Sequence, residues 1–209
     1  SGNRAADVVA DLLTVARGIA SKKHSCSLNS IVDDYLESPE ASSLRSRHPQ
    51  ISIEKELDKN IGNISCSRTH IFKSIMNLVV NSAESMGGEG NILIRTKGNV
   101  FHNAEEGDER HQGEFSVLEV RDSGKGIAEH DLKRIFEPFY TRKAMGVSGT
   151  GLGLTIVWNT VQEHGGHVDV ASDATSGTCF SLSFPVCSDD CENNELTQKP
   201  VDLNGSGEI

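Results

Sequence analysis

Between Ser67 and Met86 the chain carries two patterns at once. Ile71, Ile75, Leu78, Val79 and Ala83 share one face of a helix with 3.6 residues per turn, while Ser74, Asn77, Asn81 and Glu84 run three or four apart along another. The apolar stripe makes this a helix laid on a core. Two asparagines at i and i+4 within IMNLVVNSA are poorly explained as solvated surface. They read either as the wall of a cleft or as a helix-capping or buried hydrogen-bonded pair. Gly87, Gly88 and Gly90 end the helix.

Around it the pattern alternates between helices and strands. Residues 3–20 carry Ala6, Val9, Leu12, Leu13, Ala16 and Ile19 at helical spacing. The stripe fits a partner helix or the domain's own surface. Ser27 to Leu36 is a short helix entered through Ser or Asn, and Pro39 and Pro49 bracket a polar, helix-tolerant segment. Ile51 and Ile53 alternate with polar residues as in a half-exposed strand, and KNIGN at 59–63 signals a turn. Strands follow at Asn91 to Thr96 and Glu114 to Arg121, joined by a polar loop holding NAEEGDER. Helices are expected at Ala128 to Ile135 and Leu152 to His164, and strands at His167 to Ser172 and Cys179 to Phe184. Beyond Pro185 the sequence is acidic, Asn-rich and aperiodic, a linker or tail.

Thirty acidic and twenty basic residues in 209 leave a net charge of -10, which argues against a surface built for nucleic acid or an anionic membrane. Any phosphate site must be local. No apolar run approaches the roughly 20 residues of a spanning helix. The first residue is Ser1 rather than Met, so the chain reads as a fragment of a longer one. Five cysteines, an odd number, do not suggest a disulfide framework and point to a reducing compartment. Cys187 and Cys191 are spaced C-x3-C, but no second Cys/His pair nearby completes a zinc set.

Three glycine-bearing segments follow the asparagine helix: DSGKGI from Asp122 to Ile127, GTGLGL from Gly149 to Leu154, and Ser176-Gly177-Thr178. Each alone is an ordinary turn signal. The second is not a Walker loop, because no Gly-Lys-Ser/Thr closes it, and it does not follow a strand as a dinucleotide fingerprint does. What it offers is a glycine loop running into a helix, where free N–H groups and the helix dipole can hold phosphate.

In order, Asn77/Asn81, DSGKGI, FEPFYTRK, GTGLGLTIV and SGT resemble the N, G1, F, G2 and G3 boxes of the catalytic ATP-binding domain of sensor histidine kinases. That domain belongs to the wider Bergerat ATPase group with gyrase, the ATP-dependent heat-shock chaperone and MutL-type proteins. The resemblance covers about residues 67 to 186. It implies an α/β two-layer sandwich, a mixed sheet with helices on one face, preceded by one helix of a dimerisation hairpin. RAADVVADLLTVAR looks like the second helix of that hairpin. The implied division is a partial hairpin at 1–22, the ATP-binding domain at 23–186 and a linker or tail at 187–209.

The resemblance assigns roles by position. The Asp122 carboxylate would accept the adenine amino proton while Gly124 and Gly126 let the base approach the backbone and Ile127 forms an apolar wall. Thr178 would hold a water that helps Asp122. Asn81 would ligate magnesium bridging the phosphates of ATP, and Asn77 would line the same cleft. Thr150, Gly151, Leu152 and Gly153 form the glycine loop at the phosphates. The segment from Phe139 to Gly151 resembles the ATP lid; Arg142 and Lys143 would approach the phosphates, or be solvated loop charges. Phe136 and Phe139 would anchor the lid by packing, or be plain core, while Gly146 and Gly149 would let it move.

Hydrolysing members of the group carry a water-activating glutamate four residues before the magnesium asparagine. This chain has Asn77 there, and an amide cannot act as that base, so the pattern favours phosphoryl transfer to a protein side chain. Glu84 is not promoted to base. None of the eight histidines fits the phosphoacceptor; His130, in EHDLKRIF, falls inside the nucleotide domain itself. The acceptor is expected upstream of Ser1, so the chain should bind Mg-ATP without phosphorylating itself. Expected partners are a phosphoacceptor hairpin of the same chain or a dimer mate and a response-regulator receiver domain, with homodimerisation through the N-terminal helix, no nucleic acid, no direct membrane contact and a cytoplasmic setting. The ending GSGEI looks like a linker before a receiver domain, or a disordered C-terminus. The alternatives to a histidine kinase are an anti-sigma-type serine kinase and a non-catalytic ATP-dependent interaction module.

Overall fold

In the segment ILIRTK, Ile92, Ile94 and Thr96 are buried while Leu93, Arg95 and Lys97 point to the opposite side, so this strand has one face against a core. The computed structural model describes residues 22–101, 113–141, 150–173 and 175–187. Its elements are β1 (His24–Cys26), α1 (Leu28–Glu37), α2 (Pro39–Arg47), β2 (Gln50–Leu57), β3 (Ile64–Cys66), α3 (Arg68–Ser85), β4 (Glu89–Phe101), β5 (Gly113–Asp122), α4 (Glu129–Leu132), α5 (Gly153–Glu163), β6 (His167–Asp173) and β7 (Gly177–Pro185).

Five strands form one mixed sheet in the order β2-β4-β5-β7-β6. β2 and β4 are parallel, with Ile53 opposite Ile92, and the other pairs are antiparallel, with Leu118 opposite both Thr96 and Leu182. Helices α1, α3 and α5 supply the second layer. α3 buries Ile71, Ile75, Leu78, Val79 and Ala83, and each large aliphatic side chain removed from water contributes about 1.5–3 kcal/mol. The two-layer α/β sandwich is therefore present, with its mixed sheet and helices on one face.

Local chemistry fixes the helix ends. Ser38 caps α2 by accepting the Ala41 N–H at 3.2 Å, with Pro39 in the first turn where its missing N–H costs nothing. α3 starts differently: the Ser67 N–H donates to Nε2 of His164, at 2.9 Å, and the other ring nitrogen donates to the Thr160 carbonyl at 2.6 Å. His164 is thereby held as the Nδ1–H tautomer, and its burial lowers its pKa.

Three features differ from expectation. The helix expected over 128–135 is only Glu129–Leu132, followed by turns through 139, because Asp131 is buried by a hydrogen bond from the Tyr140 hydroxyl that draws the chain back. β4 is longer than the Asn91 to Thr96 pattern. β1 and β3, three residues each, form an antiparallel ribbon that no alternation announces. The N-terminal helix expected at 3–20, the loop at 104–109, Arg142, Lys143, Gly146, Gly149 and the tail after Cys187 lie outside the described residues. Among the described residues no helix is long and apolar enough to cross a membrane.

Candidate functional site

Strand register places one row of residues across the end of the sheet. Ile92 is opposite Asp122, Asp122 opposite Thr178, and Thr178 opposite Ser172. Directly opposed residues share a face, so the row lies together. Asp122 is 3% exposed. Its Oδ1 accepts the Gly124 N–H at 2.9 Å and the Thr178 N–H at 3.3 Å, which is how a buried carboxylate is tolerated. Oδ2 takes no hydrogen bond from the described residues, and Asp122 lines a cavity of about 490 Å³.

Glycine is required at this corner. Gly177 has φ +78°, and a Cβ there would lie 2.0 Å from the Asp122 carbonyl oxygen. A Cβ on Gly124 would lie 2.3 Å from Ser85 Oγ. Behind the row, the Ser172 hydroxyl accepts the Ile127 N–H at 2.7 Å and lies 3.2 Å from the Gly177 carbonyl and 2.9 Å from Thr178 Oγ1. Ser172 ties the first glycine loop to the third. Nothing in the sequence pattern distinguished it from other strand serines.

The opposite wall is α3. Its polar stripe divides: Ser74 is fully buried with its hydroxyl donating to the His70 carbonyl at 3.0 Å, whereas Asn77, Asn81 and Glu84 line the cavity. Asn77 Nδ2 donates to the Gly153 carbonyl at 3.3 Å, joining α3 to the start of α5. The Asn81 amide makes no hydrogen bond with the described residues. Ser82, also in the lining, has the only buried side-chain oxygen or nitrogen without a partner among them.

The third side is the base of the segment resembling a lid. The Phe139 N–H donates to the Gly151 carbonyl at 3.0 Å. Gly151 has φ +70°, and a Cβ there would come within 2.6 Å of the Phe139 backbone. This pinch is made by main chain: Phe139 has φ 65° and is 59% exposed, so it does not anchor the segment by packing as expected. Phe136 does pack, with its ring centroid 5.0 Å from that of Trp158. Tyr140, which sequence reasoning passed over, lines the cavity with the Arg134 guanidinium 4.5 Å from its ring centroid.

The cavity therefore brings together Asn77, Asn81, Asp122, Gly126, Ile127, Thr150, Gly151, Gly153 and Thr178. Gly124 acts one step back through Asp122. Leu152, grouped in the sequence with the phosphate loop, is 1% exposed and does not line the cavity. Among the described residues the cavity's charges are few: Asp122, Asp131 and Glu84 against Lys125. Ile127, Ile135, Val80 and Phe180 supply apolar wall suited to a flat ring.

Comparison with known proteins gives concordant likenesses. Residues 66–188 match the profile of the histidine kinase-, DNA gyrase B-, and HSP90-like ATPase family. The chain is 30% identical over 179 residues to the sensor histidine kinase ZraS of Salmonella typhi, covering 86% of this chain and 35% of that protein. It is 28% identical over 221 residues to the sensor kinase CckA of Brucella abortus, covering 100% of this chain and 23% of that one. The chain thus spans about a third or less of these relatives. Among solved structures it is similar to the catalytic domain of histidine kinase ThkA, with a TM-score of 0.62 and 26% identity over 79% of this chain and 96% of that one. Full-length ShkA in complex with AMPPNP shares the fold, with a TM-score of 0.68 and 22% identity over 90% of this chain and 37% of that one.

Proposed function

Since the chain belongs to the histidine kinase-, DNA gyrase B-, and HSP90-like ATPase family, we propose that its cavity takes Mg-ATP and holds the γ-phosphoryl for transfer to a histidine on a separate helical hairpin. The observation that carries this is the placing of Asp122, with one carboxylate oxygen held by backbone and the other unbonded among the described residues, in the same cavity as the Asn81 amide, which has no partner among them either.

Asp122 accepts the adenine amino group, and Ile127 covers a face of the base. The N–H groups at Gly151 and Gly153, at the start of α5, meet the phosphates where the helix dipole favours negative charge. Asn81 fits a magnesium ligand: a hard cation prefers oxygen, and this amide is spoken for by no protein donor among the described residues. Bound there, the ion would neutralise charge on the phosphates. No cluster of three His, Cys, Asp or Glu among the described residues holds a metal by itself, so nucleotide and water would complete its shell. Asn77 orients the start of α5 through Gly153 and offers no base for water. Transfer then rests on positioning and charge stabilisation, to which Lys143 and Arg142 are proposed to contribute from outside the described residues.

On this reading residues 1–22 belong to a dimerisation hairpin, 23–186 form the catalytic domain and 187–209 a linker or tail. The setting is cytoplasmic two-component signalling, with a response-regulator receiver domain as the final acceptor. Radiolabelled ATP given to the longer natural chain tests it. Acid-labile, base-stable label supports phosphohistidine, and acid-stable label shows a serine kinase instead. Tight ATP binding with no label shows an interaction module.

A further inference from the structure

We infer that the Ser172 hydroxyl sets the hydrogen-bonding polarity of Thr178, and so makes this end of the cavity select a 6-aminopurine over a 6-oxopurine. The inference rests on the nucleotide reading above and extends it to a residue that does not line the cavity.

Ser172 is half-buried in β6 and has one proton and two lone pairs to share. The Ile127 N–H, at 2.7 Å, occupies one lone pair. Two neighbours remain: the Gly177 carbonyl at 3.2 Å, which can only accept, and Thr178 Oγ1 at 2.9 Å, which can do either. One arrangement satisfies all three contacts. Ser172 donates to Gly177, and Thr178 donates to Ser172. The single Thr178 proton is then used, and Thr178 presents only lone pairs to the cavity. Beside it, Asp122 has Oδ1 fixed by two N–H groups and Oδ2 open. The rim is thus made of acceptors. Its complement is a donor such as an exocyclic amine; a carbonyl there would meet lone pairs without a proton between them. Without the Ser172 hydroxyl, the Thr178 proton is released to turn towards the cavity and donate to a 6-carbonyl. Ser172 is a positioning residue, acting through Thr178.

The test is calorimetric titration of the chain with ATP and with inosine triphosphate, for wild type, Ser172→Ala and Ser172→Thr, alongside thermal melts. Wild type favours ATP. S172A is expected to lower the ATP-to-ITP affinity ratio about five- to tenfold, one hydrogen bond's worth, and S172T, which keeps the hydroxyl, to retain the wild-type ratio. An S172A protein that loses affinity for both nucleotides in proportion, or neither, overturns the inference and leaves Ser172 a structural tie. A wild-type chain that binds neither nucleotide overturns the nucleotide reading itself. Should S172A melt below the assay temperature, Thr178→Val addresses the same point: removing the acceptor lowers the ratio, and an unchanged ratio overturns the inference.

Discussion

Asp122→Asn separates the backbone contacts this side chain makes from the adenine contact proposed for it. The asparagine oxygen can take the place of Oδ1 and keep both N–H donors, from Gly124 and Thr178, while the amide nitrogen replaces Oδ2. The reverse orientation would set an NH2 against two N–H groups, so the side chain has one choice. The fold is then nearly undisturbed, and the melting temperature should stay within about 4 °C, the equivalent of roughly 1 kcal/mol in a chain of this size. Nucleotide binding should not survive as well. With the base placed as proposed, an acceptor facing the adenine amine becomes a donor, forfeiting a charge-assisted hydrogen bond of about 1.5–3 kcal/mol and adding a donor–donor clash. A loss of about 3 kcal/mol corresponds to a Kd roughly 150-fold weaker. Calorimetry with ATP and magnesium reads the affinity and differential scanning calorimetry the melt. Asp122→Ala is the contrast: it also strands two N–H groups, at about 1–3 kcal/mol each where they stay buried, so its melt should fall where that of D122N does not. A D122N protein that melts normally and binds ATP within threefold of wild type would refute the placing of the base against Asp122.

Other outcomes are expected. Asn81→Ala should remove the magnesium dependence of ATP binding, and a variant still needing magnesium would identify another ligand. Gly177→Ala sets a methyl 2.0 Å from the Asp122 carbonyl oxygen at φ +78°. It should cost at least about 2–3 kcal/mol and lower the melting temperature by 5 °C or more; an unchanged melt would mean that the turn is not held as described. His164 has its folded-state pKa lowered by burial, so the unfolded chain takes up its proton first as pH falls. Its contribution is complete above the unfolded value of about 6.5 and is lost as pH drops through the folded one. Wild type should therefore lose more thermal stability than His164→Gln between pH 7.5 and 5.5, and equal losses would count against the buried neutral ring.

Legibility differed from element to element. α3 was readable because its apolar and amide stripes repeat at helical spacing over five turns, yet spacing could not show that Ser74 turns to a backbone carbonyl while Asn77, Asn81 and Glu84 face the cavity. Asp122 was legible only through the resemblance of the ordered set of motifs to a known family, since the glycines beside it are by themselves an ordinary turn signal. Ser172 was not, since a serine's value here comes from loops 45 residues before it and five after. β1 and β3 are too short for alternation to register. Phe139 misled because hydrophobicity predicts burial, whereas its backbone conformation, set by the contact with Gly151, turns the ring outward.

The small ribbon has a structural consequence. β1 pairs with β3, and on the way out Val186 bridges Ile64 while the Cys187 N–H donates to the Asn63 carbonyl at 2.9 Å. β3 is thus gripped from both sides, by the chain arriving at His24 and by the chain leaving at Cys187. It leads without a loop, through Ser67, into the helix that carries Asn77 and Asn81. The segments entering and leaving the described domain therefore meet at the same three residues, which run directly into the helix that walls the cavity.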